Sequence, residues 1–302
     1  MEDDDAPSAF ETPAVHDVAR ATEPAVTATP TPAPSSTPTP EPQRLCRSDP
    51  DAHDARLQAL SDDIEAALAS FEGEWGFAFI DLDCGSTVLV NPEYVQYTAS
   101  AGKFPFLVAA LRAVEAGEVE LEVVQDDLEL VFRTSDDLAA DAVAAMVSPE
   151  EVREVFAIAG VSEASRFVDS WRNLSMTALD LARVWEALLR GRLLGPSLTE
   201  YVLELAAKAE IPEEYTTFPD PSSWDEPELR YGQKAGYYVS DGVPYFFVGA
   251  GYLVPRDGSS QGFVAVLLAT TEVEDLLDPA RRQAFPIVVE YAQQAVAELG
   301  RR

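Results

Sequence analysis

The chain has 302 residues, 47% of them apolar, and a formal net charge of −32. That length and apolar content suffice for one large packed domain or two small ones. A surface this acidic repels phosphate backbones and anionic headgroups, which argues against nucleic acid and membrane surfaces as partners and makes the charge chiefly a solubility device.

Residues 1–43 read as a disordered tail or stalk. The acidic start MEDDD and the tract TATPTPAPSSTPTPEPQ favour extended chain and cannot bury a core. No apolar export core precedes this tract, and no later run is long and apolar enough to span a membrane. Two localisations follow: extracytoplasmic, secreted or tethered, if an export segment is missing from the sequence, and otherwise cytoplasmic. The two histidines, His16 and His53, fall before the main apolar body, so a Ser-His-Asp triad has no histidine where the fold should lie. The two cysteines, Cys46 and Cys84, are too few for a zinc cluster. Either they pair across the first hairpin or both remain thiols. No metal and no cofactor is expected.

From residue 54 the pattern turns regular, so 44–302 reads as the folded domain. DARLQALSDDIEAALASF sets Leu57, Leu60, Ile64 and Leu68 on one helical face. WGFAFIDLDCGSTVLVNPE gives two strands around an Asp83–Cys84–Gly85–Ser86 turn. Residues 100–116 predict an apolar helix. Helical patterns continue to about 208, notably SPEEVREVFAIAG and MTALDLARVWEALLRG, and the Pro- and acid-rich stretch IPEEYTTFPDPSSWDEPE reads as loop. Three strands follow, in GQKAGYYV, PYFFVGAGYLVP and GFVAVLLATT, and a final helix covers 279–299. The expected fold is α/β of the α+β type: one antiparallel sheet built from both chain ends, flanked by helices, with an inserted helical subdomain.

Three short motifs carry the chemistry: Ser100-Ala101-Gly102-Lys103, Ser135-Asp136-Asp137, and Lys234-Ala235-Gly236. A serine hydroxyl needs a base to become a nucleophile, and a lysine three positions on along a helix faces the same side. Burial and a second cation, Lys234, would lower the Lys103 pKa and free its lone pair. Ser135 is placed to relay protons. The backbone N–H groups of Ser100 and Tyr237 are candidates to hold an oxyanion. Arginine stays protonated and cannot act as a base. The chain has 18 Arg against only three Lys (Lys103, Lys208 and Lys234), yet both motif positions carry lysine.

These motifs, in this order, resemble the class A β-lactamases and the wider penicillin-recognising serine hydrolases, over roughly residues 54–300. The hairpin ending in Asn91-Pro92, Gly117 after the serine helix, MTALDLARVWEALLRG and DGVPYFFVGAGYLVP fit the same family. The resemblance implies that Ser100 is acylated, Lys103 is its base, Ser135 shuttles protons and Lys234 anchors a substrate carboxylate. Asp137, Ala235 and Gly236 would line the substrate. Asp137 stands where the family has Asn, and Ala235 where it has Thr or Ser. No Glu-x-x-Leu-Asn segment supplies the deacylating glutamate. In SEASRFVDSWRNLSMTA the only acids are Glu163 and Asp169. The expected activity is acyl-enzyme chemistry on an amide or ester, with a β-lactam or a cell-wall fragment as candidate small-molecule or peptide substrate. The alternative is a non-catalytic cell-wall-binding or penicillin-binding module that acylates slowly or not at all. A monomer is expected.

Overall fold

The computed structural model describes residues 49–213, 216–219, 229–239, 244–273 and 277–299. The 1–43 tail, His16 and Cys46 lie outside the described residues, as does most of the acidic loop before residue 229.

Helix α1 (Pro50–Leu68) starts on an Asp49 cap that accepts the Ala52 N–H at 3.0 Å, with Pro50 where no N–H is needed. Strands β1 (Glu74–Asp81) and β2 (Ser86–Val90) form the expected hairpin. Its turn is fixed by Asp81 Oδ1, which accepts the Asp83 N–H at 3.0 Å, and by Gly85 at φ +66°. A short ribbon pairs β3 (Val95–Tyr97) with β4 (Ser175–Thr177). The helices between and after them are α2 (Lys103–Glu115), α3 (Leu121–Thr134), α4 (Asp137–Ala144), α5 (Pro149–Ala159), α6 (Ala178–Leu189) and α7 (Pro196–Ala206). The late strands are β5 (Leu229–Gln233), β6 (Gly236–Tyr238), β7 (Tyr245–Pro255) and β8 (Phe263–Thr271), and α8 (Leu277–Leu299) ends the fold.

The main sheet runs β2-β1-β8-β7-β5, with β6 also paired to β7, and every pairing is antiparallel. The β1–β8 pairing joins the two chain ends in one sheet, as expected from the strand order. Alternation along β1 explains why both faces are apolar. Phe77 and Phe79 join Phe263, Leu267 and residues of α1 and α8 on one side. Ala78 and Ile80 join Val264, Leu268 and the α2–α7 block on the other. In that block the Phe104 ring stacks on Trp185 at 3.9 Å between centroids.

The sequence reading does not predict the β3–β4 ribbon, and three other details differ from it. The GQKAGYYV strand is broken at Lys234-Ala235 into β5 and β6, both on β7, so the late strands number four. The helix predicted over 100–116 begins as a 3₁₀ turn, Ala99–Gly102, and becomes α-helical only at Lys103. His53 is not outside the apolar body: it is 3% exposed, because the apolar face of α1 runs one turn further back than Leu57.

Candidate active site

The first wall of the site is the 3₁₀ turn. Strand β3 ends at Tyr97, and the Thr98 N–H and hydroxyl both bond to the Leu174 carbonyl, at 3.0 and 2.9 Å. Ala99 then takes φ +46°, a conformation that costs a non-glycine residue about 1 kcal/mol or more and is held only by its surroundings. That bend presents the half-buried Ser100 to the cleft, while Lys103 is 1% exposed. The leading N–H groups of such a turn have no partner within it, which leaves the Ser100 amide available to a ligand. Strand β6 closes against this turn because Gly236 has no side chain. A Cβ there would lie 2.5 Å from the Thr98 oxygen, 2.7 Å from the Ala101 nitrogen and 3.0 Å from the Ser100 nitrogen.

The second wall is the α3–α4 junction. Ser135 is left-handed, φ +59°, and ends α3. Asp136 caps α4 by accepting the Ala139 N–H at 2.8 Å, and Asp137 is the first residue of that helix. The Lys103 ammonium bonds to the Ser135 carbonyl at 2.6 Å and to Asp137 Oδ1 at 2.5 Å. From the third wall, the β5–β6 break, the 3%-exposed Lys234 sends its Nζ to Ser135 Oγ at 2.8 Å and to the Ala235 carbonyl at 3.4 Å. Ser135 Oγ thus lies between two buried amines, 2.8 Å from Lys234 and 3.5 Å from Lys103.

Burial dominates the electrostatics. It pushes the Lys103 pKa down against the opposing hydrogen bond and charge of Asp137. Lys234 is driven well below the ordinary lysine value, first by burial and then by the neighbouring Lys103.

The structure brings Ser100, Ser135, Ala235, Gly236 and Tyr237 to the wall of one cleft of about 460 Å³. Lys103 and Lys234 meet at Ser135 behind them, and Asp137 reaches Lys103. Glu163 and Asp169 do not join: both are exposed, and the Asp169 carboxylate accepts from Asn173 at 2.7 Å.

Three residues of the site escaped the sequence reading. The Trp171 ring lies 4.6 Å from the Lys103 ammonium and donates its N–H to Asp141 at 3.1 Å. Arg172 stacks on the same ring at 4.1 Å and pairs with Asp141, holding that carboxyl below its usual pKa. The available signal was the Ser170–Asn173 capping box, which fixes a short 3₁₀ turn carrying the tryptophan.

A second polar cluster, His53, Asp81 and Cys84, keeps its candidate ligand atoms within 4.8 Å of one another. It stands at the β1–β2 turn. The register places β6 level with Gly76, five residues back along β1, or roughly 17 Å. The cluster therefore takes no part in the cleft.

Residues 59–126 match the profile of the beta-lactamase enzyme family. A search among curated proteins finds no match. Solved structures do match. A β-lactamase from Sphaerobacter thermophilus is 21% identical, covers 80% of this chain and 98% of its own, and has a TM-score of 0.62. A β-lactamase from Chitinophaga pinensis is 15% identical over 77% and 98%, with a TM-score of 0.65. PBP-A, solved as the acyl-enzyme complex of a mutant with penicillin G, is 17% identical over 79% and 97%, with a TM-score of 0.63. Among the described residues no helix is long and apolar enough to cross a membrane. The chain thus has the β-lactamase-like fold of the class A β-lactamases and PBP-A, and its residues 59–126 match the beta-lactamase enzyme family.

Proposed function

We propose that the chain is a serine hydrolase that forms an acyl-enzyme at Ser100 with an amide or ester substrate, β-lactams and cell-wall peptides being the candidate classes. The observation that carries this reading is Ser135 Oγ, held between two buried lysines at the wall of the cleft that Ser100 lines. Two buried amines around one hydroxyl are costly to stability and have a direct use in moving a proton. In this reading the Ser100 and Tyr237 N–H groups receive the developing oxyanion.

Deacylation is slow in this reading. Water attack on the ester needs a base, and the carboxylates by Lys103 are committed: Asp137 to Lys103, Asp141 to Arg172 and Trp171. The Trp171 ring further restricts space for water beside Lys103.

Intact-mass spectrometry after exposure to a penicillin and to an activated ester tests this. The expected result is a one-acyl adduct that persists for minutes or longer and is absent in Ser100→Ala. No adduct and no Ser100-dependent turnover with either reagent overturns the reading. Saturable binding without acylation would instead favour the non-catalytic module, for which Asp137 and Ala235 at substrate-reading positions speak.

A further inference from the structure

Among the described residues, only Lys103 of the two site lysines has an anionic partner in direct contact. Lys103 bonds to the Asp137 carboxylate at 2.5 Å and to the Ser135 carbonyl at 2.6 Å, and the Trp171 ring face also lies against it. A carboxylate, a carbonyl and a π-face all favour an ammonium. Lys234 bonds to a hydroxyl and a carbonyl, both neutral, and is 3% exposed. A buried amine with neutral partners is cheapest without its charge, and a neutral amine can accept the Ser135 O–H. The two lysines thus polarise Ser135 Oγ in one direction: it receives a weak bond from Lys103 at 3.5 Å and sits at 2.8 Å from Lys234.

We propose that Lys234, acting through Ser135, is the base that takes the Ser100 proton, and that Asp137 sets this division of labour by holding Lys103 as a fixed cation. The inference rests on the acyl-enzyme reading above. As Ser100 Oγ bonds to the substrate carbonyl carbon, its proton passes to Ser135 Oγ, and the Ser135 proton passes to the Lys234 lone pair. The carbonyl π electrons move onto oxygen, where the backbone N–H groups receive them. When the tetrahedral species collapses, the bond to the leaving nitrogen or oxygen breaks. The proton on Lys234 then returns through Ser135 to that atom, so the leaving group departs as amine or alcohol and Lys234 is again neutral. Lys103 stays charged throughout, and its field stabilises the negative charge that builds on Ser135 and the oxyanion. Asp137 is a positioning residue here: it touches Lys103, not substrate.

Among the described residues, the charged groups that face this pair are few. Lys234 feels Lys103 and Asp137, while Lys103 feels Asp137, Asp136 and Arg172. With both amines buried, the ordering of the two follows their partners: Lys103 has a carboxylate in contact, whereas Lys234 has neutral groups and the Lys103 cation nearby.

Because the chain holds only Lys103, Lys208 and Lys234, the test is direct. Lysine ¹³Cε/¹⁵Nζ NMR titration of the intact protein, assigned with Lys208→Arg, reads protonation without any substrate. The expected result is Lys234 titrating lowest and Lys103 above it, with Asp137→Asn moving the Lys103 titration down. Lys103 titrating below Lys234 overturns the proposal even if Ser100 is acylated. Kinetics supply the second arm, as the acylation rate constant across pH. Lys234→Arg should lose about 10²–10⁴-fold, a larger loss than Lys103→Arg, which keeps the cation but disturbs its geometry. Asp137→Asn combined with Lys234→Arg should recover part of that loss, since the freed Lys103 then serves as base. The reverse pattern for the two arginine variants refutes the inference while leaving the acyl-enzyme reading intact. If the wild type forms no adduct, the acyl-enzyme reading fails and the titration order still decides the charge assignment.

Discussion

The closeness of β6 to the Ser100 turn gives the most discriminating prediction. In Gly236→Ala the new Cβ would lie 2.5 Å from the Thr98 oxygen, 2.7 Å from the Ala101 nitrogen and 3.0 Å from the Ser100 nitrogen. All three are backbone atoms, so no side chain can swing aside. Restoring ordinary contact at about 3.4 Å requires the strand and the turn to separate by roughly 0.9 Å. Overpacking of this kind costs about 1–3 kcal/mol, which a domain of this size survives. The geometric effect is larger, because about 1 Å of misplacement between an oxyanion donor and a nucleophile costs on the order of 10²-fold in rate. The control is Gly117→Ala. Gly117 follows α2 at φ +73° with nothing within 4 Å of the added Cβ, so it incurs left-handed backbone strain of about 1 kcal/mol without touching the site. Thermal melts and acylation time courses on both variants separate the effects. Gly236→Ala should lose about 10²-fold in acylation rate with a modest drop in Tm, and Gly117→Ala should lose stability alone. Wild-type acylation in folded Gly236→Ala refutes the claim that β6 and the turn jointly form the oxyanion site.

Other expectations concern stability. The Lys234 pKa is lowered on folding, so the unfolded chain binds more protons between the folded pKa and the ordinary lysine value of about 10.5. The destabilisation that Lys234 imposes is therefore fully present below its folded pKa and fades as pH rises towards the ordinary value. Lys234→Met should be more stable than wild type at neutral pH, with the urea-midpoint advantage shrinking up to pH 10; an advantage that grows with pH contradicts the shift. Phe104→Ala removes a ring stacked on Trp185 and should cost about 3–5 kcal/mol in denaturant unfolding. Ser148→Ala breaks a capping box in which Ser148 and Glu151 satisfy one another at the start of α5, and should cost about 1 kcal/mol in the same assay. The exposed Arg230–Glu200 pair should contribute at most about 1 kcal/mol by double-mutant cycle.

The sheet was legible because its strands are buried on both faces. A run such as Phe77–Ala78–Phe79–Ile80 is apolar throughout, and the hairpin turn before Ser86 is polar and glycine-bearing. The serine, the lysines and their order were legible because the chain is so poor in lysine that each one stands out. What the sequence hid depends on distance in space. Nothing in local periodicity says that Asp137 reaches Lys103 across 34 positions, or that the Trp171 ring covers the same amine. His53 was misplaced because a polar residue on an otherwise apolar stripe ends the visible pattern, although its Nε2 has Ser86 Oγ as a partner 3.1 Å away. The broken strand at Lys234 was invisible for a related reason. The Lys234 N–H still reaches the Ala250 carbonyl at 3.0 Å, so strand-like composition continues through the break.

The misses at the cleft share a physical cause that bears on the chemistry. Each wall of the cleft is an interruption: a 3₁₀ turn before α2, a left-handed residue between α3 and α4, and a gap between β5 and β6. Regular helices and strands consume their own N–H and C=O groups, whereas an interruption leaves them to face a ligand or a side chain. The Ser135 carbonyl can accept from Lys103 because α3 stops there, and the Ser100 amide is open because the turn begins there. The rigid elements on either side hold these exposed groups in place, at the expense of the positive φ values at Ala99 and Ser135. Replacing Ala99 with glycine should relieve that strain and stabilise the fold while loosening the site. A rise in Tm accompanied by slower acylation is the result this account requires, and faster acylation would count against it.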